Sequence, residues 1–299
     1  NDNVVGTNGF FSMKAHWSEH PERDESWAEQ EKSRIGIERF RREHECEFLI
    51  YDETLISSIK LVEMEGVEPI WNQGQVRWYS KPKPKHTYMV ALDPSLGSGG
   101  DYSAIQVFEL PTFKQVAEWH HNTTPANQQI RILQSITKYI HDTITEQDNS
   151  AEPSIFYSME NNTLGEAALN RVMDIGEENI MGAFLSEPIR KGHRRKFRRG
   201  FNTTAKHKID ACAKFKELVE NNKMLIQSKP LISELKNFVA TGVSYKGKPG
   251  EHDDLVSASL LSTRMIKVLA DFDPKIFEQW TNRTSEYLAP MPIFANLGV

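Results

Sequence analysis

Hydrophobic positions from residue 87 onward fall into short continuous runs and helix-like stripes. Short runs predict β-strands at 88–92, 104–110, 115–121, 154–159 and 180–185, of which the second and third are rich in Val, Ile, Phe and Trp. Apolar residues three to four positions apart predict α-helices at 128–144, 164–175, 206–221, 231–240 and 253–269. Short extended segments are predicted at 224–227 and 242–245. This order predicts an α/β fold: a mixed sheet with an antiparallel opening meander and parallel strands after it, flanked by helices.

The first eighty residues carry a weaker pattern. Apolar residues at loosely helical intervals predict helix within 18–50, whereas Gly and Pro interrupt 51–80. The sequence KPKPKH at 81–86 predicts an extended, semi-rigid linker, because alternating prolines restrict the backbone. We therefore expect a domain boundary at this linker, with the α/β domain at 87–280. Residues 281–299 show little periodicity and suit a tail or a docking peptide.

Composition narrows the class of protein. The chain has 299 residues, 38% hydrophobic and 26% charged, which is ordinary for a globular protein. Its longest uninterrupted apolar run, at 180–185, is far shorter than the roughly 20 residues that cross a bilayer, so we expect no membrane span and no membrane partner. The two cysteines, Cys46 and Cys212, are far apart and in no metal-binding spacing, which argues against a disulfide framework or a zinc site.

The charge is distributed unevenly. The net charge is −5, with 36 basic and 41 acidic residues. The window 190–208 contains no acidic residue, and it holds nine basic ones: Arg190, Lys191, Arg194, Arg195, Lys196, Arg198, Arg199, Lys206 and Lys208. A one-sign run in an otherwise acidic chain predicts contact with a polyanion such as a nucleic acid backbone. The alternative is a solvated charged loop. Phe197 and Phe201 within the run could stack on bases or pack against the protein.

Acidic residues occupy three topologically related points of the predicted fold. Asp93 ends the first strand, Glu160 ends the fourth, and Asp253 and Asp254 open the last long helix. If the first and fourth strands are neighbours, their carboxyl ends converge, and a helix start packed nearby adds a third carboxylate. Converging carboxylates repel unless a cation neutralises them, and oxygen-only ligands favour Mg²⁺ or Mn²⁺. Two such ions about 4 Å apart can promote phosphodiester cleavage.

Each of these acids also has an ordinary structural interpretation. Asp93 could be a turn residue, and Glu160 could begin a solvated loop. Asp253 and Asp254 could be a helix N-cap and a first-turn acid. His252, just before them, could bind a ligand, move a proton or be structural. The glycine-rich sequence at 96–101 lacks the following Lys and Ser or Thr of a phosphate-binding P-loop, which favours a flexible hairpin; its Asp101 could still reach the acidic cluster.

Several segments occur in a distinctive order. They are HPERDESW at 20–27, FRREHECEFL at 40–49, YMVALDPSLGSGGDY at 88–102, SMENNTLG at 158–165 and EHDDLV at 251–256. The last three together resemble the nuclease domain of the large terminase subunit of tailed bacteriophages, which belongs to the RNase H-like superfamily. The first two resemble the end of the ATPase domain that precedes it, so residues 1–80 would be the C-terminal remnant of that domain plus a linker region.

The resemblance implies a part of a viral genome-packaging motor. It implies a metal-dependent endonuclease that cuts concatemeric double-stranded DNA, with Asp93, Glu160 and Asp254 as catalytic metal ligands and Asp253 and Asp101 as further candidates. The implied cofactor is Mg²⁺ or Mn²⁺, as two ions. The implied partners are DNA, the portal ring, the procapsid and the small terminase subunit, in the host cell cytoplasm. The phosphate-binding half of the ATPase is not found in these residues, so the resemblance does not extend to ATP hydrolysis by this chain.

Two other functions remain open at this point. Another RNase H-like nuclease, such as a junction resolvase or a transposase, would use the same acids on a different DNA substrate. A non-catalytic module would instead clamp DNA or dock on a portal ring.

Overall fold

The computed structural model of the chain describes residues 16–45, 54–162, 165–188 and 199–272. Several sequence-based predictions lie outside these ranges: those for Cys46, for Phe197, for the tail 281–299, and for the basic residues Arg190, Lys191, Arg194, Arg195, Lys196 and Arg198.

A seven-stranded mixed sheet forms the centre of the protein. Its strands are β1 (Trp71–Gln73), β2 (Val76–Trp78), β3 (Thr87–Asp93), β4 (Ser103–Leu110), β5 (Lys114–His121), β6 (Ser154–Met159) and β7 (Ala183–Phe184). They lie in the order β1-β2-β5-β4-β3-β6-β7. Strands β3, β4 and β5 pair antiparallel, whereas β3 with β6 and β6 with β7 pair parallel. The predicted antiparallel meander followed by parallel strands is confirmed, as is the neighbourhood of the first and fourth predicted strands.

The described residues also form eight α-helices, several of which pack on the two faces of this sheet. They are α1 (Glu25–Ile35), α2 (Ile37–His44), α3 (Ser58–Glu63), α4 (Ala126–Gln147), α5 (Gly165–Ile175), α6 (Ala205–Glu220), α7 (Lys229–Asn237) and α8 (Asp254–Phe272). Successive residues of β3 point to opposite faces. Met89 and Ala91 join the core that contains residues of α6, α7 and α8, whereas Val90 and Leu92 join the core that contains residues of α4 and α5. Within the described ranges, no helix combines the length and apolarity needed to cross a bilayer.

The structure differs from the predicted elements at several turns. Gly36, with φ 85°, separates α1 from α2, so the predicted N-terminal helix is broken. The helix predicted to reach residue 240 ends earlier, and a hairpin follows, made of β8 (Phe238–Thr241) and β9 (Ser244–Gly247). Its turn contains Gly242 at φ 61°, a conformation typical of tight hairpins. The strand predicted at 224–227 was wrong, because only a single bridge from Leu225 to Lys114 forms there.

The central sheet extends across the predicted domain boundary at 81–86. Strands β1 and β2 precede this segment, and β2 pairs with β5. The segment itself is anchored, since the Tyr88 hydroxyl accepts a hydrogen bond from the Lys83 amide at 2.7 Å. The assignment of 1–80 to a separate domain remains a prediction.

Candidate metal centre

The carboxyl ends of β3 and β6 bring two acidic side chains together. The parallel register pairs Leu92 with Met159, and the Glu160 amide donates to the Leu92 carbonyl at 3.1 Å. Asp93 and Glu160 therefore follow adjacent positions of neighbouring strands. Their carboxyl groups are close enough for the charge of Glu160 to act on Asp93.

The backbone after Glu160 is fixed by close packing. The Asn161 amide donates to the Phe201 carbonyl at 2.7 Å, and the Asn161 side chain donates to the Arg199 carbonyl at 2.8 Å. Gly165 begins α5 against this turn, and a Cβ there would lie 1.9 Å from the Glu160 carbonyl oxygen. Only glycine permits so close an approach. Phe201 is buried, so it packs against the protein rather than offering its ring to a base.

Negative charge from two parts of the chain acts on Asp93. Burial raises the pKa of Asp93 well above its usual range, and the charge of Glu160 raises it further. The charges of Asp254 and Asp253 also raise this pKa, which shows that the start of α8 lies close to the two strand ends. The structure thus places all four acids in one electrostatic neighbourhood.

Asp254 is the first residue of α8 and is largely buried. The His252 Nδ1 lies 3.7 Å from its Oδ2, and the Tyr102 backbone is close enough to lower its pKa. Burial raises the pKa of Asp254 to about 6, and the charges of Asp253 and Asp101 contribute in the same direction. Asp101 itself is exposed, so it acts on the cluster from the rim.

Asp253 holds its carboxylate away from its own helix. Its Oδ2 accepts from the Gly247 amide at 3.1 Å and lies 3.9 Å from the Lys208 Nζ. Its backbone carbonyl accepts from the Ser257 amide at 2.8 Å, as the residue before a helix should. The N-cap interpretation therefore holds for the backbone of Asp253 but not for its side chain.

The glycine-rich loop between β3 and β4 is held to a neighbouring loop. The Gly99 amide donates to the Asn122 carbonyl at 2.9 Å. Gly97 has φ 70°, and a Cβ there would lie 2.2 Å from the Thr124 carbonyl oxygen. These contacts fix the loop that carries Asp101 and Tyr102 beside the acidic cluster.

Three residues near the site were not singled out in the sequence. Glu234, on α7, accepts a hydrogen bond from the Val256 amide at 3.1 Å, and burial raises the pKa of Glu234 to about 8. Tyr102 stacks on His120 with 4.3 Å between ring centroids and meets the edge of His252 at 4.6 Å. Burial lowers the pKa of His120 to about 4, so this imidazole is neutral at physiological pH. No local motif marks Glu234 or His120, because their roles depend on tertiary contacts.

A narrow cleft opens beside Glu160. Its walls are Glu160, Thr203, Lys208, Ala211, Ser257, Leu260, Leu261 and Arg264. Lys208 thus lies between this cleft and Asp253, whereas Lys206 is exposed on the first turn of α6. Arg199 forms an ion pair with Glu177 and lies over the Phe184 ring. Of the predicted DNA-binding residues that the structure describes, Lys206 is exposed, whereas Arg199 and Lys208 each have an acidic side chain within 4 Å.

The donor set suits a hard divalent cation. Every candidate ligand in the cluster is a carboxylate oxygen, and Mg²⁺ and Mn²⁺ prefer such oxygens. Burial and neighbouring negative charges raise the pKa values of Asp93 and Asp254, so the site disfavours unneutralised carboxylates. Among the residues that the structure describes, no three Asp, Glu, His or Cys side chains are close enough together to hold a metal ion as they stand. Binding of a cation would therefore have to bring these carboxylates closer together.

Comparisons with known proteins identify the class of fold. A crystal structure of the large terminase nuclease from the thermophilic phage G20c with bound magnesium is 16% identical, covers 71% of this chain and 97% of that one, and superposes with a TM-score of 0.52. A cobalt-bound structure of the same nuclease gives the same values. The terminase nuclease domain of human cytomegalovirus, soaked with manganese, is 14% identical over 71% of this chain and 94% of that one, with a TM-score of 0.48. The fold is therefore RNase H-like, as expected.

The sequence itself matches a family profile. The profile of the terminase RNaseH-like domain family matches residues 90–265, which is more than half of the chain. The chain belongs to this family, and the resemblance to terminase nuclease domains is confirmed.

Proposed function

We propose that this chain is a divalent-metal-dependent DNA endonuclease that cuts concatemeric double-stranded viral DNA during genome packaging. The observation that carries the proposal is the meeting of the Asp93 and Glu160 carboxyl groups at adjacent strand ends, with Asp254 close enough to raise the pKa of Asp93. Membership of the terminase RNaseH-like domain family supports the same function. The G20c terminase nuclease, which has this fold, was crystallised with magnesium and with cobalt.

The acids have distinct tasks in this proposal. Asp93, Glu160 and Asp254 hold Mg²⁺ or Mn²⁺, as two ions, while Asp253 and the exposed Asp101 add negative charge at the rim. The bound ions supply activation of a water molecule and stabilisation of charge on the leaving oxygen. The chain positions these carboxylates at the ends of β3 and β6 and at the start of α8.

The basic segment 190–208 holds the DNA backbone in this proposal. Lys206 and Lys208 lie on the first turns of α6, and Lys208 borders the cleft beside Glu160. Contacts of Lys and Arg with phosphates are independent of sequence and weaken as salt rises. We expect Lys206→Ala to reduce the slope of log affinity against log salt by about 1, measured on a random duplex by fluorescence anisotropy.

The decisive variant is Asp93→Asn, which keeps the size of the side chain but removes its charge. We expect plasmid nicking in Mg²⁺ or Mn²⁺ to fall by at least about 100-fold, because a metal ligand is lost. Asp174→Asn is the matched control, since Asp174 is an exposed acid on α5 whose Oδ2 lies 3.9 Å from the Arg171 Nη1. Circular dichroism checks that both variants fold. Undiminished cutting by folded Asp93→Asn would end the assignment.

A substrate panel separates this function from its relatives. Preferential cutting of branched DNA would favour a junction resolvase, and strand transfer would favour a transposase. Salt-sensitive DNA binding without metal-dependent cleavage would favour a clamp or a portal-docking module. In the proposed role the partners are DNA, the portal ring, the procapsid and the small terminase subunit, and the place of action is the host cytoplasm.

A further inference from the structure

The first turn of α8 is capped by a carboxylate from another helix. Glu234 lies on α7, and its Oε2 accepts a hydrogen bond from the Val256 amide at 3.1 Å. The Val256 amide belongs to the first turn of α8, where N–H groups have no acceptor inside the helix. Glu234 therefore supplies the acceptor that this turn lacks.

In most helices the side chain just before the first turn performs this task. Here Asp253 occupies that position, but its carboxylate accepts from the Gly247 amide on β9 instead. Because Glu234 caps the helix, neither Asp253 nor Asp254 is needed for that purpose. Both aspartates remain close enough to Asp93 to raise its pKa.

The helix that carries Glu234 is itself anchored to the sheet. Its N-cap, Ser228, accepts a hydrogen bond from the Leu231 amide at 3.0 Å and donates one to Glu118 on β5 at 2.7 Å. Leu231 and Leu235 of α7 are fully buried. A rigid support of this kind is what a precisely placed ligand requires.

We propose that Glu234 is a positioning residue, which fixes the first turn of α8 and thereby holds the Asp254 carboxylate beside Asp93. This inference rests on the proposed function, because it assigns Asp254 as a metal ligand. Groups that orient metal ligands from outside typically change metal affinity by about 10–100-fold when they are removed. Glu234 acts through the Val256 amide and is not itself assigned to the ion.

The test measures Mn²⁺ binding to the full chain by isothermal titration calorimetry. We expect Glu234→Ala to raise the Mn²⁺ dissociation constant by about 10–100-fold. Glu234→Gln retains an acceptor oxygen, so we expect it to restore an affinity close to that of the wild type. Hydrogen exchange of the metal-free protein provides a second readout: residues 254–257 should exchange faster in Glu234→Ala than in Glu234→Gln.

Ser233→Ala is the matched control, because Ser233 is the neighbour of Glu234 on α7 and its side chain is exposed. We expect it to change neither thermal stability nor Mn²⁺ binding. If Glu234→Ala does not fold, Glu234→Asp replaces it, since its carboxylate is one methylene shorter and should also bind Mn²⁺ more weakly.

Two results would overturn the positioning role. One is wild-type Mn²⁺ affinity in a folded Glu234→Ala or Glu234→Asp variant. The other is a Glu234→Gln variant that loses as much affinity as Glu234→Ala, because charge rather than amide binding would then be responsible. A wild-type chain that binds no Mn²⁺ would contradict the proposed function, and the inference with it.

Discussion

Two groups of carboxylates in the same sheet have opposite surroundings. Glu118, on β5, is fully buried, and its Oε1 accepts hydrogen bonds from Arg77 Nε at 2.9 Å, the Tyr79 hydroxyl at 2.7 Å and the Ser228 hydroxyl at 2.7 Å. Its Oε2 accepts from the Gln115 side chain at 3.2 Å. At the ends of β3 and β6, by contrast, acids face other acids.

A structural acid and a functional acid can be distinguished by the groups that surround them. A buried carboxylate that is surrounded by donors stabilises the fold and has no capacity left for a ligand. The carboxylates around Asp93 have few donors and many like-charged neighbours, so their own repulsion opposes folding until a cation arrives. The number of buried charges does not separate the two groups, but the identity of their neighbours does.

The largest effect on stability is expected at Glu118. Glu118→Ala leaves the Arg77 guanidinium and several neutral donors without their acceptor, and breaking such a buried network costs about 3–5 kcal/mol. Urea unfolding measures this loss of the free energy of unfolding. Glu118→Gln keeps the volume of the side chain and should lose less, while its Mn²⁺ affinity stays that of the wild type. A Glu118→Ala variant with the wild-type urea midpoint would remove the contrast between the two groups.

Adding metal is expected to raise the free energy of unfolding by binding at the acidic cluster. Binding that is restricted to the folded state should stabilise the wild type by about 2.7 kcal/mol at a free Mn²⁺ concentration of 100 times the dissociation constant. EDTA should reverse the gain, and Asp93→Asn should show little of it. Urea unfolding with and without Mn²⁺ measures both. An equal gain in Asp93→Asn would show that the ion binds elsewhere.

A smaller effect is expected from pH in the metal-free protein. The pKa of Asp254 is raised from 3.8 to about 6 by burial and by Asp253. A raised folded pKa contributes stability that is present below pH 3.8 and is lost as pH rises through about 6. Asp254→Asn should therefore gain stability relative to the wild type by about 1–2 kcal/mol between pH 4 and 7. Urea unfolding at both pH values in EDTA checks this, and a pH-independent difference would contradict it.

The sequence predicts the core of the fold better than its borders. The bounds of β6, Ser154–Met159, are as predicted, because its Ile, Phe, Tyr and Met side chains lie between Pro153 and Glu160. β7 and the β8–β9 hairpin are less well predicted, since β7 has two residues and the hairpin follows a helix without a break in hydrophobicity.

The candidate site is also predicted only in part from the sequence. Asp93 and Glu160 directly follow predicted strands, and Asp254 lies at the start of a predicted helix, so topology alone suggests that they meet. The capping role of Glu234 and the stack of Tyr102 on His120 arise from contacts between distant elements. A single sequence contains no local signal for such contacts, because neither Glu234 nor His120 occupies a special position in its own element.

The most direct test of the metal centre is a crystal structure of the chain soaked in Mn²⁺, with the ions located by anomalous scattering. We expect Mn²⁺ bound to a carboxylate oxygen of Asp93 together with Glu160 or Asp254. Ions found only elsewhere at saturating Mn²⁺ would contradict the proposed metal centre.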